Sequence, residues 1–151
     1  MEIRNMEIND IQNVIELLEN SKPYVLPHHH YVYWIMQEYF LSTNIIALHQ
    51  GKIVGYICGL LSTEKDCIFI WQIAVDRAYK RRGIGSRLLS ELVTYSEKNH
   101  IKSLQFSIDK SNNSSYELFL QLARKLNKKM ERIGSYNTGD MNDIVCRIDI
   151  Y

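Results

Sequence analysis

Apolar residues in the N-terminal part of the chain recur at the spacing of an α-helix. Between residues 11 and 18 they fall at i, i+3, i+4 and i+7, which predicts a helix that begins after Asp10 and ends before Pro23. Asp10 is the candidate N-cap, since short polar side chains accept hydrogen bonds from the first helical amides. A second helical pattern, rich in aromatic residues, covers residues 31–40.

The middle of the chain changes to apolar runs that are typical of strands. Residues 43–48 and 52–61 flank a His-Gln-Gly turn, which predicts a β-hairpin, and residues 67–75 form a third run apolar enough to be buried on both faces. Further elements are then predicted: a helix from residue 85 to about residue 99, a strand over 102–108, a helix over 118–126 and a closing strand over 143–151. The order strand, helix, strand requires a parallel crossover, so we expect an α/β sandwich with a mixed sheet.

Composition and charge narrow the function classes. The 151 residues suit one domain over 1–151, with 46% hydrophobic and 23% charged residues. A net charge of +1 argues against general binding to nucleic acid or to an anionic membrane. The N-terminus lacks the apolar run of a secretory signal and no stretch reaches the length of a membrane span. Three cysteines, Cys58, Cys67 and Cys146, lie in apolar segments, which favours buried thiols in a reducing, cytoplasmic setting.

The densest chemical signal is a strand that leads through a basic glycine loop into a helix. The loop carries Arg81, Arg82 and the sequence Gly83-Ile-Gly85. Glycines allow close backbone approach, and the free amides of a helix N-terminus attract phosphate. A tight turn with a solvated basic flank is the alternative explanation. A dinucleotide fold requires a third glycine where Leu88 stands, and a P-loop requires Gly-Lys-Ser/Thr, so neither pattern is present.

This segment resembles motif A of the Gcn5-related N-acetyltransferases (GNAT), which is written Gln/Arg-x-x-Gly-x-Gly/Ala. The resemblance rests on the strand, its Val-Asp ending and the sequence Lys80-Arg-Arg-Gly-Ile-Gly85, with Lys80 at the first position of the motif. The resemblance implies acetyl-CoA as co-substrate. It also implies a three-layer α/β sandwich of the α+β type, whose mixed, mostly antiparallel sheet has about six or seven strands and about four helices. The cofactor-binding residues that it implies are Ile73, Ala74 and Val75 on the strand and Arg81, Arg82, Gly83, Ile84, Gly85 and Ser86 in the loop.

A second segment, Asn112-Asn-Ser-Ser-Tyr-Glu-Leu-Phe119, resembles motif B of the same family, Asn-x-x-Ala-x-x-Leu-Tyr. The resemblance places Asn112 and Ser115 at cofactor-contacting positions, with Ser115 in place of alanine and Phe119 in place of tyrosine. From the residues alone, Asn112 or Ser111 is also suited to cap the next helix. We expect Asn112 to combine both roles.

A closer resemblance, over about residues 8–127, is to the diaminobutyrate acetyltransferases of ectoine synthesis. It rests on three segments: Phe69-Ile-Trp-Gln-Ile-Ala-Val75, the motif B segment and Tyr31-Val-Tyr33. Those enzymes carry Leu-Asp-x-Asn-Ser-x-Tyr-x-Tyr, where this chain has Leu26 and His28 at the acidic and amide positions. The likeness implies a diamino acid acceptor, which this departure leaves open. Trp71, Gln72, Tyr31 and Tyr33 are the candidate substrate-binding residues.

Amine acetylation needs a proton acceptor, because an alkyl ammonium has a pKa of about 10.4. Many members of the GNAT family carry a carboxylate where Trp71 and Gln72 stand, and neither of these can act as a base. The remaining catalytic candidates are the histidines at 28–30, in particular His28, and Asp140 or Asp143 in a late loop, with Tyr31 and Tyr33 as candidate acids. The histidines also fit a solvated helix start, and the tyrosines fit core positions.

The sequence therefore predicts an N-acetyltransferase that moves an acetyl group directly from acetyl-CoA to a primary amine of a small molecule such as 2,4-diaminobutyrate. Two alternatives remain at this point: a non-catalytic acyl-CoA-binding or sensor protein, and an acetyltransferase for protein or peptide amines. We expect no metal site and no nucleic-acid or membrane partner. The sequence leaves a homodimer open.

Overall fold

The computed structural model describes residues 1–151, whose strands form one mixed sheet with helices on both faces. The strands are β1 (Glu2–Asn5), β2 (Asn44–His49), β3 (Lys52–Ser62), β4 (Cys67–Val75), β5 (Ser103–Asp109), β6 (Met130–Thr138) and β7 (Met141–Asp149). The helices are α1 (Ile11–Glu19), α2 (His30–Tyr39), α3 (Ile84–Lys98) and α4 (Asn113–Lys125). No helix is both long enough and apolar enough to span a membrane.

The seven strands lie in the order β1-β2-β3-β4-β5-β7-β6, and every neighbouring pair is antiparallel except β4 and β5. The predicted mixed, mostly antiparallel sheet is confirmed, as are the hairpin at β2 and β3 and the parallel crossover through α3. Two edge strands gave no signal in the sequence. β1 has only four residues, and almost every residue of β6 is exposed, so β6 lacks the alternation that marks a half-buried strand.

Two hydrophobic clusters separate the molecule into three layers. On one face of the sheet, α3 and α4 bury Leu88, Leu89 and Phe119 against β5 residues such as Leu104 and Phe106. The opposite face is covered by α1 and α2 in a second cluster, which includes Val14, Leu18, Tyr33, Met36 and Tyr56. The predicted three-layer sandwich is therefore confirmed.

The structure changes the interpretation of Asp10. The residue does precede α1, but its side chain caps no amide of that helix. Its carboxylate instead binds Arg4 in a two-pronged pair, at 2.7 and 3.1 Å, and accepts the backbone N–H of Glu7 at 2.7 Å. Asp10 thus ties β1 to the start of α1, a role that its local sequence could not show.

We expect Asp10→Asn to lower the free energy of unfolding by about 1 to 3 kcal/mol at pH 7, since hydrogen bonds to charged groups contribute that much. Burial opposes ionisation of Asp10, but the bonds from Arg4 and Glu7 outweigh burial and hold the pKa of the carboxyl below its ordinary value. A folded-state pKa below the unfolded one stabilises the protein above about pH 4, and the benefit is lost as pH falls through the folded pKa.

Urea unfolding of both proteins between pH 7 and pH 3 tests this expectation. The difference in the free energy of unfolding between wild type and Asp10→Asn is expected to shrink as the pH falls. Glu19→Gln is the matched control, because Glu19 pairs with Lys22 on the surface, where an ion pair contributes little. A difference for Asp10→Asn that stays constant down to pH 3 would contradict the stabilising role of its charge.

Candidate active site

The central feature of the site is a gap between the two parallel strands. β4 and β5 pair only from Cys67–Ile70 to Ser103–Phe106, whereas β5 goes on pairing with β7 as far as Asp109. Residues 72–75 of β4 therefore have a strand partner on one side only, in β3. The two strands run in the same direction, so the gap opens at their carboxyl ends.

The free edge of β4 offers backbone groups to this gap. The amide of Asp76 bonds the carbonyl of Val54 on β3 at 2.8 Å. Backbone groups alternate in direction along a strand, so those of Ala74 also face β3, while those of Ile73 and Val75 point into the gap. Ala74 packs its side chain in the α1 and α2 cluster. Of these three predicted cofactor residues, two thus present free amides and carbonyls.

The glycine loop leads directly into α3 on the other side of this edge. Gly83 is the N-cap of α3, with a left-handed φ of +77°, and no side chain caps the helix. The amides of Ile84, Gly85 and Ser86 belong to the first helical turn, where no intrahelical acceptor exists. With the partial positive charge of the helix end, they form an anion site that an extended diphosphate group fits.

Arginines surround this helix start. Arg81 is exposed and has a left-handed backbone, with φ of +62°. The guanidinium of Arg82 lies 5.0 Å from the ring centre of Tyr79. The same ring meets Lys52, whose ammonium binds Asp76 at 2.9 Å and lowers the pKa of that carboxyl, together with the amide of Ala78. Arg82 is thus held beside the loop by a cation–π contact.

Ile84 and Gly85 also have packing roles. Ile84 is buried against Gly55 of β3, where an added Cβ would come within 2.8 Å of the Ile84 Cγ2. A Cβ on Gly85 would lie 3.1 Å from Leu118 of α4. The second glycine of the motif therefore allows α3 and α4 to approach closely, whereas no heavy atom lies within 4 Å of a Cβ built on Gly83. The two glycines serve different purposes.

Asn112 is the N-cap of α4. Its Oδ1 accepts the amide of Ser115 at 3.2 Å and its Nδ2 donates to the Ser115 hydroxyl at 3.0 Å. The cap prediction is confirmed. Phe119, where the motif has tyrosine, stacks on Phe106 with ring centres 3.7 Å apart, just behind the point where β4 and β5 separate.

On the face covered by α1 and α2, a β-bulge turns Trp71 out of the strand. Cys58 of β3 pairs with Gln72 and Gly59 pairs with Ile70, so Trp71 has no partner on β3. Its side chain is 38% exposed, and the His28 ring lies against it with centres 4.7 Å apart. Bulges redirect side chains in this way at functional sites. Trp71 and His28 together form an aromatic wall beside the gap.

Gln72, in contrast, is buried and fully engaged. Its Oε1 accepts the hydroxyl of Tyr33 at 3.0 Å, and its Nε2 donates to the carbonyl of Leu26 at 2.7 Å. The Tyr33 oxygen in turn accepts the backbone N–H of His28 at 3.0 Å. Burial raises the pKa of Tyr33, so this phenol remains neutral. The two predicted substrate residues hold the chain near the aromatic wall and expose little of themselves.

The remaining candidates lie in different places. Tyr31 is 60% exposed on α2 and stacks on Trp34 with ring centres 5.6 Å apart. His29 caps α2 by accepting the amide of Tyr31. Asp140 is exposed in the turn between β6 and β7, and Asp143 lies within β7 rather than in a loop.

Sequence reasoning named Asp143 but missed Asp109, which forms a pair of carboxylates with it on this face. Asp109 at the end of β5 stands opposite Asp143 on β7. Since Leu104, Phe106 and Ile108 point into the α3 and α4 cluster, alternation puts Asp109 on the Trp71 face. The alternation of β5 and the adjacent Asn112 would have revealed Asp109, but its partner depends on strand register. Opposed residues have Cβ atoms about 5 Å apart, close enough for one cation to meet both carboxylates.

Other reactive groups do not enter the site. All three cysteines are buried and unpaired, as expected, and burial raises the pKa of Cys58 to about 11, so its thiol stays protonated. No three His, Cys, Asp or Glu side chains come together as metal ligands. The site is therefore built from backbone amides and arginines on one face and from aromatic and acidic side chains on the other.

Comparison with known proteins agrees with this geometry. A model of the Acetyltransferase (GNAT) family matches residues 11–123. An L-2,4-diaminobutyric acid acetyltransferase of Halalkalibacterium halodurans is 34% identical over 102 residues, 67% of this chain and 54% of the relative. The enzyme of the same name from Marinococcus halophilus is 32% identical over 119 residues, 78% of this chain and 68% of the relative. The chain thus spans 54% and 68% of the length of these two relatives.

Among solved structures, the chain is similar to the diaminobutyrate acetyltransferase from Paenibacillus lautus in complex with its substrate L-2,4-diaminobutyric acid and coenzyme A. The TM-score is 0.89 at 26% sequence identity, over 99% of this chain and 95% of that one.

Proposed function

Because this chain belongs to the GNAT acetyltransferase family, we propose that it transfers the acetyl group of acetyl-CoA to a primary amine of L-2,4-diaminobutyrate. The observation that carries the proposal is the gap between β4 and β5. On one face of the gap lies a helix N-terminus without a side-chain cap. On the other face lie the aromatic wall of Trp71 and His28 and an acidic wall, formed by Asp109 and Asp143. The named relatives and the complex of the Paenibacillus lautus enzyme support this choice of acceptor.

Acetyl-CoA enters from the α3 face. Its diphosphate accepts hydrogen bonds from the amides of Ile84, Gly85 and Ser86, with the guanidinium groups of Arg81 and Arg82 as cations beside it. The pantetheine arm pairs with the free edge of β4 at Ile73 and Val75, much as a strand adds to a sheet edge. This arrangement leaves the thioester carbonyl in the gap near Trp71. The N-terminus of α4, at Asn112 and Ser115, borders the same opening.

The acceptor enters from the opposite face. 2,4-Diaminobutyrate carries two ammonium groups, and Asp109 with Asp143 provides negative charge where one of them can bind. Deprotonating an alkyl ammonium at neutral pH costs about 4 to 5 kcal/mol, so a nearby carboxylate, directly or through water, is the natural proton acceptor. His28 contributes an imidazole on Trp71, the second group that can take the proton.

The reaction is a direct transfer. The neutral amine nitrogen attacks the thioester carbonyl carbon, and the C–S bond breaks as the amide C–N bond forms. The proton lost by nitrogen passes to the acidic face, and the coenzyme A thiolate leaves and is protonated. Placing both substrates on opposite sides of one gap supplies the orientation that accelerates such a step.

A panel of amines assayed by release of free coenzyme A tests this function. We expect kcat/KM to be highest for 2,4-diaminobutyrate and to fall by about tenfold or more for ornithine and for lysine, because each added methylene is poorly accommodated in a fitted pocket. Spermidine, which lacks the carboxylate, is the comparison for recognition of the amino acid group. Mass spectrometry of the product identifies the acetylated amine.

Binding measured by calorimetry completes this experiment. Acetyl-CoA that binds but is not consumed with any amine would contradict the enzyme assignment and would leave a non-catalytic binding protein. Turnover that is fastest with ornithine, lysine or spermidine would keep the acetyltransferase and replace the acceptor.

A further inference from the structure

The segment between α1 and α2, residues 20–29, is called the strap here because three hydrogen bonds fasten it across the gap. Arg77, just after β4, donates to the carbonyl of Lys22 at 2.8 Å. Gln72 on β4 holds the carbonyl of Leu26. The third bond joins Tyr24 to Ser111, 87 residues further along the chain, between the end of β5 and α4.

These bonds define the course of the strap. Two of them lie on the β4 side of the gap and the third lies beyond the end of β5. Both strands end at the edge where the gap opens, so the strap reaches across its mouth through the Tyr24 side chain, between its two anchors on the β4 side. It lies on the face of the sheet that α1 and α2 cover, since Gln72 follows the bulge on that face. The strap therefore closes one end of the acceptor side.

The bond between Tyr24 and Ser111 is the latch of the strap. The Ser111 hydroxyl donates to Asp109 at 2.6 Å, which leaves the Tyr24 hydroxyl as the donor to Ser111, at 3.0 Å to Oγ and 3.2 Å to the carbonyl. The bonds from Ser111 lower the pKa of Asp109, so its carboxylate stays charged. Tyr24 is 48% exposed, and an exposed hydrogen bond is a weak closure. The latch therefore ends on Ser111, which is itself bonded to Asp109 on the acidic side of the acceptor site.

We propose that Tyr24 is a specificity-determining residue, whose latch to Ser111 restricts the acceptor to a small free amine. The inference rests on the proposed transfer to a small amine. A free amino acid fits between the aromatic wall and the acidic wall with the strap closed. An amine attached to a peptide has to place the rest of its chain where the strap crosses, so it binds only when the latch is open.

Tyr24→Phe removes the hydroxyl and keeps the ring. The matched acceptors are 2,4-diaminobutyrate and 2,4-diaminobutyryl-glycyl-glycine, which carries the same side-chain amine on a longer chain. We expect the ratio of their kcat/KM values to shift toward the peptide by about tenfold, the size of effect that a single pocket contact produces. Tyr39→Phe is the control, because Tyr39 is 71% exposed on α2 and its hydroxyl makes no hydrogen bond within the chain.

A ratio that is the same in wild type, Tyr24→Phe and Tyr39→Phe would overturn the proposal. Hydrogen exchange of residues 20–29, measured on the full chain with coenzyme A bound, reports the latch without any acceptor. We expect faster exchange in Tyr24→Phe than in wild type, with Tyr39→Phe equal to wild type. Equal exchange in all three proteins would show that no latch exists.

The two measurements separate this proposal from the function on which it rests. If wild type does not turn over 2,4-diaminobutyrate, the proposed function fails, and the exchange experiment alone decides whether the strap is latched. If turnover is normal and exchange increases but the ratio of acceptors is unchanged, the latch exists and its role in specificity is refuted.

Discussion

Replacing Gly83 by Glu is expected to weaken coenzyme A binding by about two to three orders of magnitude and to leave the fold intact. The loss has two causes. A carboxylate at the N-cap of α3 occupies the anion site and competes for the free amides of the first turn. It also repels the diphosphate, and each charge-assisted hydrogen bond lost costs about 1.5 to 3 kcal/mol.

Two further variants separate charge from backbone strain. Any side chain at Gly83 has to adopt a left-handed φ of +77°, at a cost of about 1 to 2 kcal/mol. Gly83→Ala carries that strain without a carboxylate, so we expect a similar melting temperature and much tighter binding than for Gly83→Glu. Gly139→Glu places the same charge at another left-handed glycine with no neighbours, in the turn between β6 and β7.

Calorimetric titration with coenzyme A and thermal unfolding of all four proteins give the comparison. An unchanged dissociation constant in Gly83→Glu would show that the diphosphate binds elsewhere. Equal weakening in Gly139→Glu would show that the effect comes from general charge and has no specific site.

The geometry of the proposed coenzyme side could be predicted from the sequence because its parts are neighbours in the chain. The glycine loop and the start of α3 follow β4 directly, and the Asn112 cap depends on Ser115, three residues away. Short-range geometry of this kind follows from residue type. The family and the fold class that the motif implied are both confirmed. The separate purposes of Gly83 and Gly85 still required the position of Leu118.

The acceptor side could not be predicted in the same way, since its contacts join distant parts of the chain. The bulge at Trp71 is a property of two strands, and Gln72 meets Leu26 across 46 residues. The sequence placed Gln72 on the substrate, whereas in the structure its amide is bonded at both ends within the protein. The sequence did not show that Asp109 lies opposite Asp143, because the register between β5 and β7 sets this pairing.

Gln72→Leu is the second change with a large expected effect. Leucine fills a similar volume but leaves the buried Tyr33 hydroxyl without its acceptor and the carbonyl of the exposed residue Leu26 without its donor. A buried polar group left unpaired costs about 1 to 3 kcal/mol, and the exposed Leu26 adds little to this, so we expect the free energy of unfolding to fall by about 1 to 3 kcal/mol. Denaturant unfolding measures this loss, with the exposed Gln12→Leu as the matched control.

The kinetic effect of the same change is specific to the acceptor. Gln72 fixes Leu26 directly and His28 through Tyr33, so its loss releases the strap from Trp71. We expect KM for the amine to rise by about tenfold or more, and KM for acetyl-CoA to change much less, because the proposed diphosphate site lies on the other face. Equal changes in the two KM values would indicate general damage to the fold and would contradict a positioning role.

Gln72→Glu is expected to restore part of the stability that Gln72→Leu loses, to an extent that depends on pH. A buried carboxylate accepts the Tyr33 hydroxyl but repels the Leu26 carbonyl, whereas the protonated acid can bond both. Burial raises the folded-state pKa of this glutamate above its unfolded value of about 4.3, so protonation stabilises the fold and the benefit is lost as pH rises through the folded pKa. We therefore expect Gln72→Glu to be more stable than Gln72→Leu near pH 5 and to lose this advantage near pH 8. Stability that is independent of pH in Gln72→Glu would show that the amide of Gln72 does not hold the strap.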